Sequence, residues 1–410
     1  MSKIRNIALH LLRIPVDIRL GAGKIASTSH LIVRIQNEQG TVGTGEGTPY
    51  FTEIYNVYTI SKKIAKALVG KDVGEALGIL PEMQERMSSD VRFDYGPFLA
   101  YETALMDILS KTNQLPFSEL LGRTYRNTIP VCGTIFLWHP RIMAKVAEKW
   151  VFEKGVNHLK VKISGTVEKD IDNLQHVREV VGYDVLLRID ANQAYRSVEK
   201  AADSLKKLER FEIGIVEQPI KWHDLKGLRH LRKLIAPKVM VDETLRKPSD
   251  VEIIAREEAA DIINFHPSKL GCLTITKRAI EKTIDLGLEY MIGSAPFTGV
   301  GATTLLQLAA SIKKLSYPNE EVGLQEEFAI DIVSNPLKVC DGCIDLPIGD
   351  GLGAVLEEKN FGEYKIGLSQ LKIPLIDFVY FIYDKSSLPV QEQIKRIRRT
   401  LTRSVYARFL

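Results

Sequence analysis

The chain is poor in several things at once. Its 410 residues hold four cysteines, Cys132, Cys272, Cys340 and Cys343, too few for a disulfide scaffold. Only Cys340 and Cys343 are close together. The Asp341-Gly342 pair between them reads as a hairpin turn flanked by thiols, in preference to a zinc half-site or a redox pair. No run of about 18 apolar residues occurs, and the opening MSKIRNIALHLLRIP lacks a continuous apolar core followed by a small-residue cleavage site. Membrane spanning and secretion are therefore not expected, and a cytoplasmic location follows by default. A net charge of +4 is small for this length and gives no reason to expect a nucleic-acid partner. A glycine-rich phosphate turn after the first strand of the alternating region is also missing, which counts against an open dinucleotide-binding sheet.

What is present is an ordinary soluble composition, 45% hydrophobic and 26% charged, long enough for two domains. The first part reads as α+β. Strands are expected over residues 7–14 and 31–35 and near Val42, with a helix over residues 100–110. Residues 17–28, which contain Gly21 and Gly23, and residues 45–50 (GEGTPY) read as glycine-bearing loops, either turns or covers over a site. From about Pro130 the pattern becomes a repeating alternation. Apolar strands are expected to begin near Val131, Val156, Val185, Ile213, Val239, Asp261, Leu288 and Val322, with amphipathic helices between them. Parallel strands need long crossovers and eight of them close a sheet, so a (β/α)8-type barrel is the economical topology.

Three of these strands end in acid: Asp190 in RIDAN, Glu217 in IVEQP and Asp242 in VDET, spaced by 27 and 25 residues. That spacing is about one strand, one helix and two loops, so each βα unit delivers a carboxylate to the same rim. Side-chain alternation puts Lys160 and Lys162 of LKVK on one face. It does the same for Ile213, Ile215 and Glu217, for Met240 and Asp242, and for Ile262, Asn264 and His266. Charges seldom end a buried strand without a partner. Three hard oxygen donors opposite two lysines suit Mg2+, with Mn2+ as an alternative. Blander roles exist for each: helix N-caps for the acids, salt bridges or a solvated strand end for the lysines, and a satisfied rim histidine at His266. Glu243 reads as a supporting or alternative ligand, and Asn192 and Gln193 as site hydrogen-bonders or plain loop residues.

Taken together, LIVRIQNEQGTVGTGEGTPY, AYETALMDILSKTNQLPFSELLG, LKVKI, RIDANQAY, VEQPI, VDET and DGCIDLPIGDGLG resemble, in order and spacing, the enolase superfamily and within it the muconate lactonizing enzyme group, related to mandelate racemase. The resemblance implies a modified (β/α)7β barrel with an N-terminal α+β capping domain that C-terminal residues complete. The corresponding boundaries are 1–128 for the cap, 129–340 for the barrel, 341–375 for a segment returning to the cap and 376–410 for a basic extension. It implies one magnesium ion on Asp190, Glu217 and Asp242, and a catalytic base at Lys162 supported by Lys160. It further implies substrate-selecting loops at residues 17–28 and 47–55, a small-molecule carboxylate substrate and a homo-oligomer. Asn192, Lys269, Glu326 and Ser294 are expected to face the substrate.

The chain departs from the group on strand six, where relatives read K-x-x-K-x-G-G. Here His266 stands for the first lysine, Lys269 for the second, and Cys272 for one glycine. Strand seven has Phe297 where many relatives carry an acid. The expected chemistry is removal of the proton α to a carboxylate, with enediolate charge stabilised by the metal and with Lys162 as base; His266 is available on the opposite side as second base or general acid. Racemisation, epimerisation or cycloisomerisation is the first expectation. A dehydratase or o-succinylbenzoate-synthase-like elimination is the alternative, and a metal-dependent binding protein with reduced catalysis is another. In the tail, Ile394, Ile397, Leu401 and Val405 form a helical stripe beside a basic face, which favours a docking or subunit-interface helix over nucleic-acid binding.

Overall fold

The computed structural model describes residues 2–20, 23–50, 52–88, 93–320, 331–347 and 349–367. The chain divides into two units, Met1–Leu371 and Lys372–Leu410; the basic extension expected over 376–410 lies outside the described residues.

The first unit opens with an antiparallel sheet of β1 (Ile4–Leu20), β2 (Gly23–Asn37) and β3 (Val42–Gly47), followed by α1 (Ile54–Leu68), α2 (Val73–Met87), α3 (Gly96–Asn113) and α4 (Phe117–Leu120). One expected loop and the start of another are strand. Residues 17–20 and 23–28 continue the β1–β2 ladder, with Ile18 opposite Ile25 and Leu20 opposite Gly23, and only 48–50 of the second remain a loop. Alternation explains it: Leu12, Ile14, Val16 and Ile18 are buried in the larger core while the residues between them face out. The Leu137 amide donates to the Arg19 carbonyl at 2.9 Å, which ties the hairpin to the first barrel loop. The glycines of VGTGEG are likewise in β3, not in a turn. A Cβ on Gly43, Gly45 or Gly47 would come within 1.9, 2.0 and 2.2 Å of the carbonyl oxygens of Ala104, Ala100 and Gly96. Their missing side chains let α3 lie flush on the strand.

Then come β4 (Thr128–Pro130), β5 (Gly133–Ile135), α5 (Pro140–Glu148), β6 (His158–Lys162), α6 (Val167–Val181), β7 (Leu186–Asp190), α7 (Val198–Leu208), β8 (Ile213–Glu217), α8 (Leu225–Arg232), β9 (Lys238–Val241), α9 (Asp250–Arg256), β10 (Ile262–Phe265), α10 (Pro267–Leu270), α11 (Leu273–Asp285), β11 (Glu289–Ile292) and α12 (Gly299–Ala310). Strands β5 to β11 form a parallel sheet in sequence order. The sheet curls shut through two residues. The Asn319 amide donates to Pro130 O at 2.9 Å, the Cys132 amide to Asn319 O at 2.8 Å, and the Glu320 amide to Ile292 O at 3.1 Å. The eighth position is thus held at Asn319–Glu320, ahead of the expected Val322, which lies outside the described residues. This is a curled parallel barrel under an N-terminal cap, the architecture that the resemblance implies.

Inside the barrel Cys132, Ile215, Met240, Ile262 and Met291 pack together; a larger core fills the space between strands and helices, and a separate core lies between the cap sheet and α1–α3. After the barrel, β12 (Cys343–Asp345) pairs with β4. The Asp341-Gly342 turn has positive φ at both residues. The chain then passes through α13 (Glu358–Glu363) to the cap, where the Leu352 amide donates to Asp107 Oδ1 at 2.7 Å and the Ile366 amide to Leu11 O at 2.9 Å.

Cap and barrel are joined by buried acids at helix starts. Glu46 on β3 accepts from the Thr298 amide at 3.0 Å, the Thr298 hydroxyl at 2.5 Å and the Gly301 amide at 2.7 Å, and His30 Nδ1 lies 2.7 Å from it. Glu102 on α3 accepts from the Thr274 amide and hydroxyl at 3.1 and 2.6 Å. These carboxylates satisfy the first amides of α12 and α11, which have no intrahelical partners.

Candidate active site

Strand register brings the acids together. Lys162 pairs with Asp190 across β6 and β7, and Asp190 with Glu217 across β7 and β8. Glu217 lies beside Met240, so Asp242 extends two residues further at the end of β9. The chain turns sharply after each acid. Asn192, Gln193 and Gln218 have positive φ of 41°, 64° and 37°, the uncommon backbone that gathers at functional sites. Gln218 then works as a bracket: its Oε1 accepts from the Asp242 amide at 3.0 Å and from the Thr244 amide at 3.1 Å, fixing the end of β9 against β8.

Both lysines reach this rim. Lys160 Nζ lies 2.9 Å from Asp190 Oδ2, 3.1 Å from Glu217 Oε1 and 3.0 Å from Glu320 Oε1. Burial disfavours its charge, but those three carboxylates outweigh burial and hold the ammonium well above its usual range. Lys162 Nζ donates to Asp190 Oδ2 at 2.5 Å and to Asn192 Oδ1 at 2.9 Å. Burial raises Asp190, yet Lys160 and Lys162 bring its net shift down. Glu217 is raised by burial and by Asp190. Glu243 is pushed up to about 8 by burial and by its neighbours Asp242 and Asp190.

The opposite side is built from β10 and α10. Asn264 Nδ2 donates to Glu217 Oε1 at 3.0 Å. Lys269, though past the strand, folds back: fully buried, it donates to Asp242 O at 2.6 Å and to Asp242 Oδ1. His266, 5% exposed, places Nε2 3.1 Å from Asp242 Oδ1. Burial pushes the Asp242 carboxyl up, but His266 and Lys269 outweigh it and hold it well below the usual range. Above them, Lys269 Nζ lies 5.1 Å from the Tyr50 ring centroid, and the Tyr50 and His266 rings are 5.9 Å apart. Buried Asp94 pins this loop by accepting from the Tyr50 and Thr52 amides at 2.9 and 3.2 Å.

Ser294 turns its hydroxyl to Ala295 O at 2.7 Å, and its amide lies 3.4 Å from Glu320 Oε2. Glu326 lies outside the described residues. The carboxylate found on the closing segment is Glu320, which also ion-pairs with Arg188 beneath the site. Sequence reading missed Glu320, Arg188 and Gln218. The signals available were the glutamine after the acid in VEQP and the inward parity of Arg188 with Asp190.

Among the described residues, ligand atoms of Glu217, Asp242 and His266 lie within 4.8 Å of one another, and Asp190 joins them through Lys160. Glu243 Oε2 is buried without a hydrogen bond, and Glu217 Oε2 has none beyond its 3.3 Å ion pair with Arg188 Nη1. A group of buried carboxylates with oxygens left over fits a divalent cation.

Comparison with known proteins agrees with this build. Residues 142–360 match the sequence profile of the enolase C-terminal domain-like family. Residues 6–122 match that of the mandelate racemase / muconate lactonizing enzyme N-terminal domain. The hydrophobic dipeptide epimerase of Enterococcus faecalis is 30% identical over 77% of this chain and 89% of its own length. The N-succinyl-L-Arg/Lys racemase of Bacillus cereus is 26% identical over 76% and 85%. Among solved structures, the E. faecalis dipeptide epimerase complexed with Mg and the dipeptide L-Leu-L-Tyr aligns with TM-score 0.77 at 27% identity, over 86% of this chain and 99% of that one. A muconate lactonizing enzyme from Pseudomonas fluorescens, at 24% identity and TM-score 0.82 over 89% and 100%, shares the fold. The protein is an isomerase of the enolase superfamily. Within it, the chain belongs to the mandelate racemase / muconate lactonizing enzyme family.

Proposed function

We propose that this protein is a metal-dependent racemase, epimerase or cycloisomerase that removes the proton α to a carboxylate. Lys162 is the base, and Asp190, Glu217 and Asp242 hold the cation. The observation that carries this reading is Lys162 Nζ, 2.5 Å from Asp190 Oδ2 and 2.9 Å from Asn192 Oδ1, beside a charged Lys160.

A C–H next to a carboxylate is too weakly acidic for an amine to deprotonate unaided. Positive charge supplied by a bound Mg2+ or Mn2+ stabilises the negative charge that builds on the carboxylate oxygens. Around it, Asn192 and Asp190 aim the Lys162 amine, the group that takes the proton. Tyr50 and the loop pinned by Asp94 cover the site. The relatives' names direct the first substrate panel to dipeptides, N-succinyl amino acids and muconates.

Exchange of the α-proton for deuterium in D2O tests the proposal across that panel. The expected result is exchange that needs a divalent cation and disappears in Lys162→Ala. Loss of water from the substrate would point instead to elimination, and exchange that survives Lys162→Ala would sink the assignment of the base.

A further inference from the structure

His266 follows the end of β10 and lies among buried carboxylates. The side chain is 5% exposed, yet neither ring nitrogen makes a hydrogen bond. Its Nε2 lies 3.1 Å from Asp242 Oδ1, and a ligand atom of the ring lies within 4.8 Å of oxygens from Glu217 and Asp242. Glu217 Oε2 is buried too, 3.3 Å from Arg188 Nη1. Buried ring nitrogens without a hydrogen bond, as at His266, mark a place for a missing partner. In the neutral tautomer protonated at Nδ1, Nε2 presents a lone pair towards these carboxylates, and a cation among them would be shared by the nitrogen and the oxygens.

The seat of the ring is built into the next strand. A Cβ on Gly293 would stand 2.5 Å from His266 Nε2 and 2.3 Å from Asn264 Oδ1. Gly293 thus leaves the space that the imidazole and the Asn264 amide occupy, and Asn264 in turn donates to Glu217. The Tyr50 ring packs against His266 at 5.9 Å and limits its swing away from the carboxylates.

We propose that His266 is a nitrogen ligand of the cation, bound through Nε2 beside Glu217 and Asp242; this rests on the metal-centre reading above. Lysine at this position presents a positive charge and three donors, whereas neutral imidazole presents a lone pair. Adding nitrogen to an oxygen set shifts preference from Mg2+ towards Mn2+, Co2+ and Zn2+. An imidazole engaged in this way is not the base on the opposite face, and Lys162 alone returns a proton to the face it left, which favours cycloisomerisation over racemisation or epimerisation.

The test loads the full, metal-stripped chain with Mn2+ and reads 14N modulation by pulsed electron paramagnetic resonance. The parent is expected to show modulation from a directly bound imidazole nitrogen. His266→Gln and Gly293→Ala should both lose it while still binding Mn2+, at least about tenfold more weakly. Gly293→Ala keeps the histidine and displaces it, so it guards against a folding artefact in His266→Gln. Mn2+ bound to the parent without nitrogen modulation, or modulation that persists in His266→Gln, overturns the proposal. Asp190→Asn and Glu217→Gln separate the two readings: Mn2+ binding untouched by either removes the metal centre itself, and no Mn2+ binding by the parent overturns both.

Discussion

The two sides of the site are put together differently. On the β6 side, Lys160 and Lys162 follow from strand alternation, and the loop beyond them is closed from within the same βα unit. Asp170 on α6 accepts from the Ser164 amide at 2.7 Å and the Gly165 amide at 2.9 Å. On the β10 side the chain after the strand is held by the cap. Gln84 accepts from the Cys272 amide at 2.9 Å and donates to Leu270 O at 2.7 Å, Glu102 holds Thr274, and Thr48 meets Ser268 at 3.1 Å. One side is specified by its own strand and helix, and the other by two domains at once.

The sharpest way to break this contrast is at the lysines. Lys162→Ala is expected to lower α-proton exchange by about a hundred- to ten-thousand-fold with cation affinity little changed; a loss confined to cation binding would move Lys162 out of the chemistry. Its counterpart, Lys269→Met, leaves Asp242 buried without its ammonium, a cost of about 3–5 kcal/mol read by denaturant titration of the metal-free protein. A cost near zero would show that the β10 side does not depend on that pair.

Glu102 sharpens the comparison through pH. Burial raises its carboxyl to about 6 in the folded chain, against the hydrogen bonds from Thr274. Because the folded value lies above the ordinary carboxylate value, the folded state binds the proton more tightly. The associated stability is full below about pH 4.5 and is lost as pH rises through about 6, by about 2 kcal/mol. Glu102→Gln should therefore gain about that much relative to the parent between pH 4.5 and pH 7.5; a pH-independent difference would remove the buried acid from the account. The smallest effect is expected at Asp170→Ala, about 1 kcal/mol of stability, with cap contacts intact. A comparable loss of Tyr50 protection in hydrogen exchange would show that the β6 loop is less self-contained than its hydrogen bonds imply.

The β6 to β9 rim was legible because its information is local: an apolar run of period two, an acid at its end, and nearly equal spacing. Glycine misled where its cause was non-local. In VGTGEG the lack of side chains answers the backbone of α3, some sixty residues away in sequence, and resembles a turn when read alone. Residues 17–28 read as a loop because the outward half of each strand is polar and the stretch contains two glycines. Glu320 was invisible because Asn319–Glu320 is too short to carry a strand pattern. The folding back of Lys269 depends on Gln84 and Glu102, partners that no local pattern announces.

The grip of Glu46 reaches beyond the site. A strand of the cap satisfies the opening turn of α12, while the histidine beside that acid lies 2.7 Å from the Thr28 hydroxyl on the hairpin. A barrel shorn of residues 1–122 would leave those amides bare in an apolar setting, so the severed halves should be recovered as insoluble fragments rather than as two folded proteins. Over evolutionary time the same dependence works against shuffling: a foreign N-terminal module could be inherited only together with an acid at this spot, which ties the diversification of the cap to the ancestry of the barrel beneath it.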